Sequence, residues 1–204
     1  MKEIWFIRHG ESMANAGYKT TDHATIPLTE KGKEQAIIVS KEITKKPDLI
    51  VLTKFSRTHE TAEPTFNKFN GTKIQILDLH EYNYLAENRC IDLTPKERKP
   101  LVDEYFDRCN ANFIDGEGAE SFVQFHHRII TSLKKLEQKN EEFIVVFTHG
   151  NVMRLIWQYI NHKTLTVNDT VMKDFHGLTT SLAVPNTKIF KTTFDDNTWI
   201  LNDE

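Results

Sequence analysis

Long apolar runs are missing from this chain, and so is any excess of positive charge. No stretch approaches the roughly 20 apolar residues of a membrane-crossing helix. At the N-terminus Arg8 and His9 interrupt an apolar run at residues 4–7, against the pattern of a secretory leader. The net charge is −3, whereas a non-specific binder of nucleic acid or anionic membrane carries a broad positive field. Neither partner is expected. Only two cysteines are present, Cys90 and Cys109. They suit a reducing compartment, the cytoplasm. Their spacing of 19, with no further ligands nearby, matches no metal motif. The eight glycines never fall into a dinucleotide-binding or P-loop pattern. Repeats, low-complexity tracts and linkers are absent too. The 204 residues, 39% of them hydrophobic, are therefore expected to form one domain over 1–204.

What the chain does have is an alternation of strand and helix patterns. Buried strands are expected at 4–7, 48–55 and 142–150 and a further strand at 73–79, the central ones apolar on both faces. Thr29 reads as the N-cap of a helix ending before Pro47. A second helix starts near Arg57 and is kinked or broken at Pro64. From Ser121 apolar residues fall at 122, 125, 129, 133 and 136, the period of an amphipathic helix, and His126 and His127 are read as surface or edge positions on it. Another helix follows the fourth strand. The last 30 residues read as antiparallel strands, punctuated by Pro185 and the turn in "FDDNTW". Residues 16–27 are turn-rich, and 82–117 form a polar segment too long for an ordinary connection, expected to be a cap or lid. Together these predict an α/β three-layer sandwich: a mostly parallel sheet, helices on both faces and a small cap insertion.

Ligands of such sheets sit outside the carboxyl ends of the strands. There the first strand offers Arg8 and His9, the second leads to Arg57, the third to Glu81, and the fourth to His149 and Gly150. A strand-end histidine alone is more often a hydrogen-bonding or surface residue, and an arginine at a helix start is usually solvated. Several of them at several strand ends change the reading. Helix starts favour anions, arginine forks match phosphate oxygens, and histidine with a carboxylate supplies nucleophile and proton carrier. The set describes a phosphoryl-transfer site.

Quoted in order, "RHGESMAN" (8–15), "PLTEKGKEQA" (27–36), "KFSRTHETA" (54–62), "LHE" (79–81), "AESFVQFHHRI" (119–129), "FTHGNVMR" (147–154) and "PNTKIFKTTFDDNTWIL" (185–201) resemble the blocks of the histidine phosphatase superfamily, the phosphoglycerate-mutase-like fold. The resemblance covers nearly the whole chain in the family's order. It implies that His9 is the nucleophile and that Arg8, Arg57 and His149 hold the phosphoryl oxygens, helped by Asn15 and the backbone of Gly150. Glu81 would be the acid, then the base. It implies no metal and no cofactor, since arginine charge replaces a divalent ion. The partners implied are a small phosphorylated substrate or phosphoprotein and inorganic phosphate as product, with the chain a monomer or homodimer.

Three positions depart from the family pattern: Thr25 replaces a frequent aspartate, Tyr82-Asn83-Tyr84-Leu85 replaces a frequent "FG.W.G", and Ala119 replaces a glycine. The first two leave substrate choice open. Mutases of the family resemble one another in a tryptophan before the motif asparagine and a "GW.D" run; here Ala14 precedes Asn15 and "GYKTTDHA" follows. The expected activity is phosphatase. Mutase-type transfer and a non-catalytic phospholigand scaffold remain as alternatives.

Overall fold

The computed structural model describes residues 1–19, 22–162 and 166–202. The central strand β1 (Lys2–Arg8) pairs in parallel with β4 (Phe143–Thr148), which pairs in parallel with β2 (Leu49–Leu52), and β2 with β3 (Lys73–Ile76). On its other side β1 pairs antiparallel with β5 (Ile189–Asp195), and β5 with β6 (Thr198–Leu201). The six-stranded order is β3-β2-β4-β1-β5-β6. Both β2 and β4 are buried along their whole length, as parallel strands covered on both faces must be.

Alternate residues feed two cores. Trp5, Ile7, Ile50, Val145 and Phe147 face one side with Val39 of α1 (Glu30–Glu42) and Ala62 of α2 (Ser56–Lys68). Ile4, Phe6, Val51, Ile144 and Val146 face the other with α5 (Phe122–Glu137), α6 (Gly150–His162) and α7 (Asp169–Ser181). Each fully buried side chain of this size contributes about 1.5–3 kcal/mol of transfer free energy. The three-layer α/β expectation holds.

Local chemistry explains the element boundaries. Thr29 caps α1 by accepting from the Gly32 N–H, and Ser121 and Gln124 form a reciprocal capping box at the start of α5. Pro64 leaves α2 unbroken. Between β3 and α5 lie α3 (Glu87–Cys90) and α4 (Pro95–Asp107), the latter opened by a Thr94–Glu97 capping box. The charged, proline-containing sequence of α4 hides its period.

Two expectations are corrected. Residues 175–181 belong to α7, capped by Asn168, so only β5 and β6 carry the antiparallel ending. His126 is buried against Phe122, because the buried face of α5 includes 126 and 130 beside the stripe counted above; His127 alone is exposed. The third strand stops at Ile76, and residues 77–79 run on to the sheet's edge. Part of the turn-rich stretch, residues 20 and 21, lies outside the described residues.

Gly10 and Gly32 let the loop after β1 lie on the start of α1. A Cβ on Gly32 would stand 2.1 Å from the Glu11 carbonyl oxygen, and one on Gly10 2.5 Å from that of Gly32. Any larger residue would force the loop after β1 and the start of α1 apart.

Candidate active site

The carboxyl ends of β1, β2 and β4 open onto a cavity of about 300 Å³. Arg8, His9, Asn15, Arg57 and Glu81 line it, together with residues of 82–102. His149 lies behind His9, fully buried, with ring centres 5.2 Å apart. Gly150 opens α6, where a Cβ would meet Arg8 Nε at 3.5 Å. The topology therefore brings all seven expected residues to one sheet edge, five of them in the cavity wall.

His9 is held in one tautomer. Its Nδ1 lies 2.7 Å from the Gly10 carbonyl oxygen, which can only accept, so Nδ1 carries the proton. Nε2 is then a lone pair, and Arg57 Nε donates to it at 3.2 Å. Burial first, then the charges of Arg57 and Arg8, hold the ring well below its ordinary pKa of 6.5. A neutral imidazole with its basic nitrogen turned toward an arginine has the chemistry a nucleophile toward an anion needs.

Burial lowers the Arg57 pKa from 12.5 to about 10, partly offset by Glu81; the group stays charged at neutral pH. Arg57 Nη1 donates to the His23 carbonyl at 2.7 Å, which fixes its plane. Arg8 donates through Nη1 to the Val184 carbonyl while its buried Nε has no protein partner. His149 Nε2 and Thr53 Oγ1 are 3.0 Å apart, leaving buried Nδ1 without a protein partner. Asn15 Oδ1 accepts from Asn186 Nδ2 at 2.9 Å, so its own amide N–H groups remain free to donate. Glu81 accepts from the Tyr82 N–H at 2.9 Å and, more weakly, from the Asn151 N–H at 3.4 Å. The helix α2 starts at Ser56, so its dipole adds partial positive charge beside Arg57.

Sequence reasoning missed three contributors. His23 lines the cavity and anchors Arg57; nothing in its turn-rich surroundings marked it. The backbone of Asn151 meets Glu81. Arg154 stands one helical turn beyond Gly150, donates to the Leu178, Leu182 and Asn151 oxygens, and feels the charge of Glu81. Its i,i+4 relation to Gly150 was the available signal. Among the described residues no group of three or more His, Cys, Asp or Glu is placed to hold a metal ion, and no helix is long and apolar enough to cross a membrane.

Comparisons with known proteins agree with this geometry. Over 165 residues the chain is 29% identical to the phosphoglycerate mutase-like protein 4 of Arabidopsis thaliana, covering 76% of this chain and 70% of that protein. It is 28% identical to the metal-independent phosphoserine phosphatase of the same plant, covering 76% and 67%. The solved structure of a phosphoserine phosphatase from Entamoeba histolytica, in complex with 3-phosphoglyceric acid, superposes with a TM-score of 0.74 at 19% identity, over 100% of this chain and 96% of that one. The alpha-ribazole phosphatase of Shigella flexneri gives 0.74 at 20% identity, over 98% and 94%. The family model of the histidine phosphatase superfamily (branch 1) matches residues 4–202. With a lone-pair nitrogen on His9 at the tip of β1, and that match across the chain, the protein belongs to the histidine phosphatase superfamily, whose chemistry is phosphoryl transfer through a phosphohistidine.

Proposed function

We propose that the chain is a metal-independent phosphomonoester hydrolase acting on a small phosphorylated substrate. The observation that carries this reading is the Gly10 carbonyl–His9–Arg57 arrangement, which presents Nε2 unprotonated beside a guanidinium. His9 Nε2 attacks phosphorus, an N–P bond forms, and the ester P–O bond breaks. Glu81 gives its proton to the leaving oxygen. Water then attacks the phosphoryl group, Glu81 takes a proton from it, the N–P bond breaks, and inorganic phosphate leaves. Arg8, Arg57, Asn15 and His149 Nδ1 hold the three phosphoryl oxygens, with the N-terminus of α6 at Gly150 adding its dipole.

Residues 82–117, including α3 and α4, form the cap, and they supply the wall of the cavity away from the sheet. Free Cys90 and Cys109 favour a cytoplasmic site of action. Phosphate release from a panel of phosphomonoesters tests the assignment. A coupled assay of 3- to 2-phosphoglycerate conversion tests mutase activity instead; conversion outrunning phosphate release would overturn the hydrolase reading. Activity toward no ester would leave a phospholigand scaffold.

Turnover is expected to survive chelation. The buried guanidinium of Arg57 and that of Arg8 already neutralise the phosphoryl group. Initial rates after exhaustive EDTA treatment should match those before it. A loss restored by Mg²⁺ or Zn²⁺ would refute the arginine cradle.

A further inference from the structure

The cap carries five cations between residues 89 and 108, and the structure separates them. Arg89 is paired with Asp115 and with Glu104 at 3.1 Å. Arg108 reaches Glu104 at 3.3 Å and lies over the Phe113 ring. Lys99 pairs with Asp103 at 2.6 Å, and Lys96 is exposed outside the cavity wall. Arg98 differs from all of these. It is half-buried, it lines the cavity, and among the described residues it makes no ion pair with a carboxylate. Its guanidinium lies near the Cys90 thiol, at most a weak acceptor.

His23 lines the same cavity within electrostatic reach of Arg98, its buried Nε2 has no protein partner, and the Glu87 carboxylate beside it is engaged by the His23 backbone N–H at 3.3 Å. The cavity lining also includes the apolar Ile26, Leu85, Pro95 and Val102. A charged donor against such a wall binds an anion more strongly than one in open water. The phosphoryl group is already matched by Arg8 and Arg57. Arg98 comes from α4 rather than from a strand end, so it is a third cation in the cavity wall, left over for whatever the phosphoryl group is attached to.

We infer that Arg98 and His23 form a second anion subsite in this cavity, so that the preferred substrates are small phosphomonoesters with a further negative group, a carboxylate or a second phosphate, on the leaving-group side. The inference rests on the hydrolase reading above. At about 300 Å³ the cavity is at the small end of ligand pockets, which suits a phosphorylated acid of a few carbons better than a nucleotide.

The test compares 3-phosphoglycerate with glycerol 3-phosphate, which differ by a carboxylate in place of a hydroxymethyl group. Wild-type kcat/KM should favour the acid by about tenfold or more, the effect of one charge-assisted contact. In Arg98→Gln the ratio should fall to near one, and Arg98→Lys should keep part of it. Glycerol 1,3-bisphosphate, compared in the same way, shows whether a second phosphate is read as well as a carboxylate. A wild-type ratio near one, or the same ratio in Arg98→Gln, overturns the subsite. If Arg98→Gln fails to fold by circular dichroism, the wild-type ratio and the lysine variant decide. If no ester is hydrolysed, the hydrolase reading fails by itself. Titration calorimetry of the same two ligands then still reads the preference, and equal affinities overturn the subsite.

Discussion

Replacing His9 with alanine should lower turnover by several orders of magnitude and leave the fold intact. The imidazole presents an unprotonated nitrogen to Arg57, and on the proposed reading the two-step route through an N–P bond is closed without it. Alanine fits the same backbone, and the anchoring contacts of the loop run through main chain: His9 N–H donates to the Thr148 carbonyl at 3.0 Å, and the His9 carbonyl accepts from Asn186 at 3.0 Å. Circular dichroism should therefore be unchanged. Phosphate or vanadate should still bind, because Arg8, Arg57 and Asn15 remain. Turnover within about tenfold of wild type would show that some other group is the nucleophile.

Glu81→Gln should cost roughly 10²–10⁴-fold with alkyl phosphates, the usual size of a general acid–base contribution. Glutamine keeps an oxygen that can accept from the Tyr82 N–H, so the loop stays put and the loss reads the proton. The effect should depend on the leaving group. An alkoxide needs a proton to depart; nitrophenolate does not. With nitrophenyl phosphate the first step should proceed and the second, in which water must be deprotonated, should stall. A burst of nitrophenolate should appear, together with a phosphoenzyme that is acid-labile and alkali-stable, as a phosphoramidate is. Equal losses for both esters, with no burst and no trapped phosphohistidine, would make Glu81 a binding residue only.

The central sheet and the strand-end residues were legible because both follow from short-range patterns. A strand buried on both faces is apolar throughout, so β1, β2 and β4 stood out, and whatever follows such a strand lies at its carboxyl tip. The helix α4 was not legible, because its capping box and two prolines sit in a charged stretch with one buried residue, Tyr105. The helix α7 was missed for a related reason: of its 13 residues only Met172 and Phe175 are buried, too few to show a period. The roles of Arg98 and His23 depend on which acidic groups do or do not come near them in space. Arg89 and Arg98 look alike in sequence; only the fold puts Asp115 and Glu104 beside one and an open cavity beside the other.

Gathering imidazoles into a dry site also sets how the protein tolerates acid. His9, His149, His80 and His23 are all held below the ordinary histidine pKa by burial and by nearby cations, His80 down to about 3. An unfolded chain protonates these rings as pH drops past about 6.5, while the folded one resists. Wherever the unfolded state binds more protons, stability rises with pH, so here it declines as pH falls from about 6.5 toward the lowered folded values. The same burial and cations that keep the His9 ring uncharged should make acidification a proton-coupled unfolding, read as a thermal midpoint that drops through the mildly acidic range.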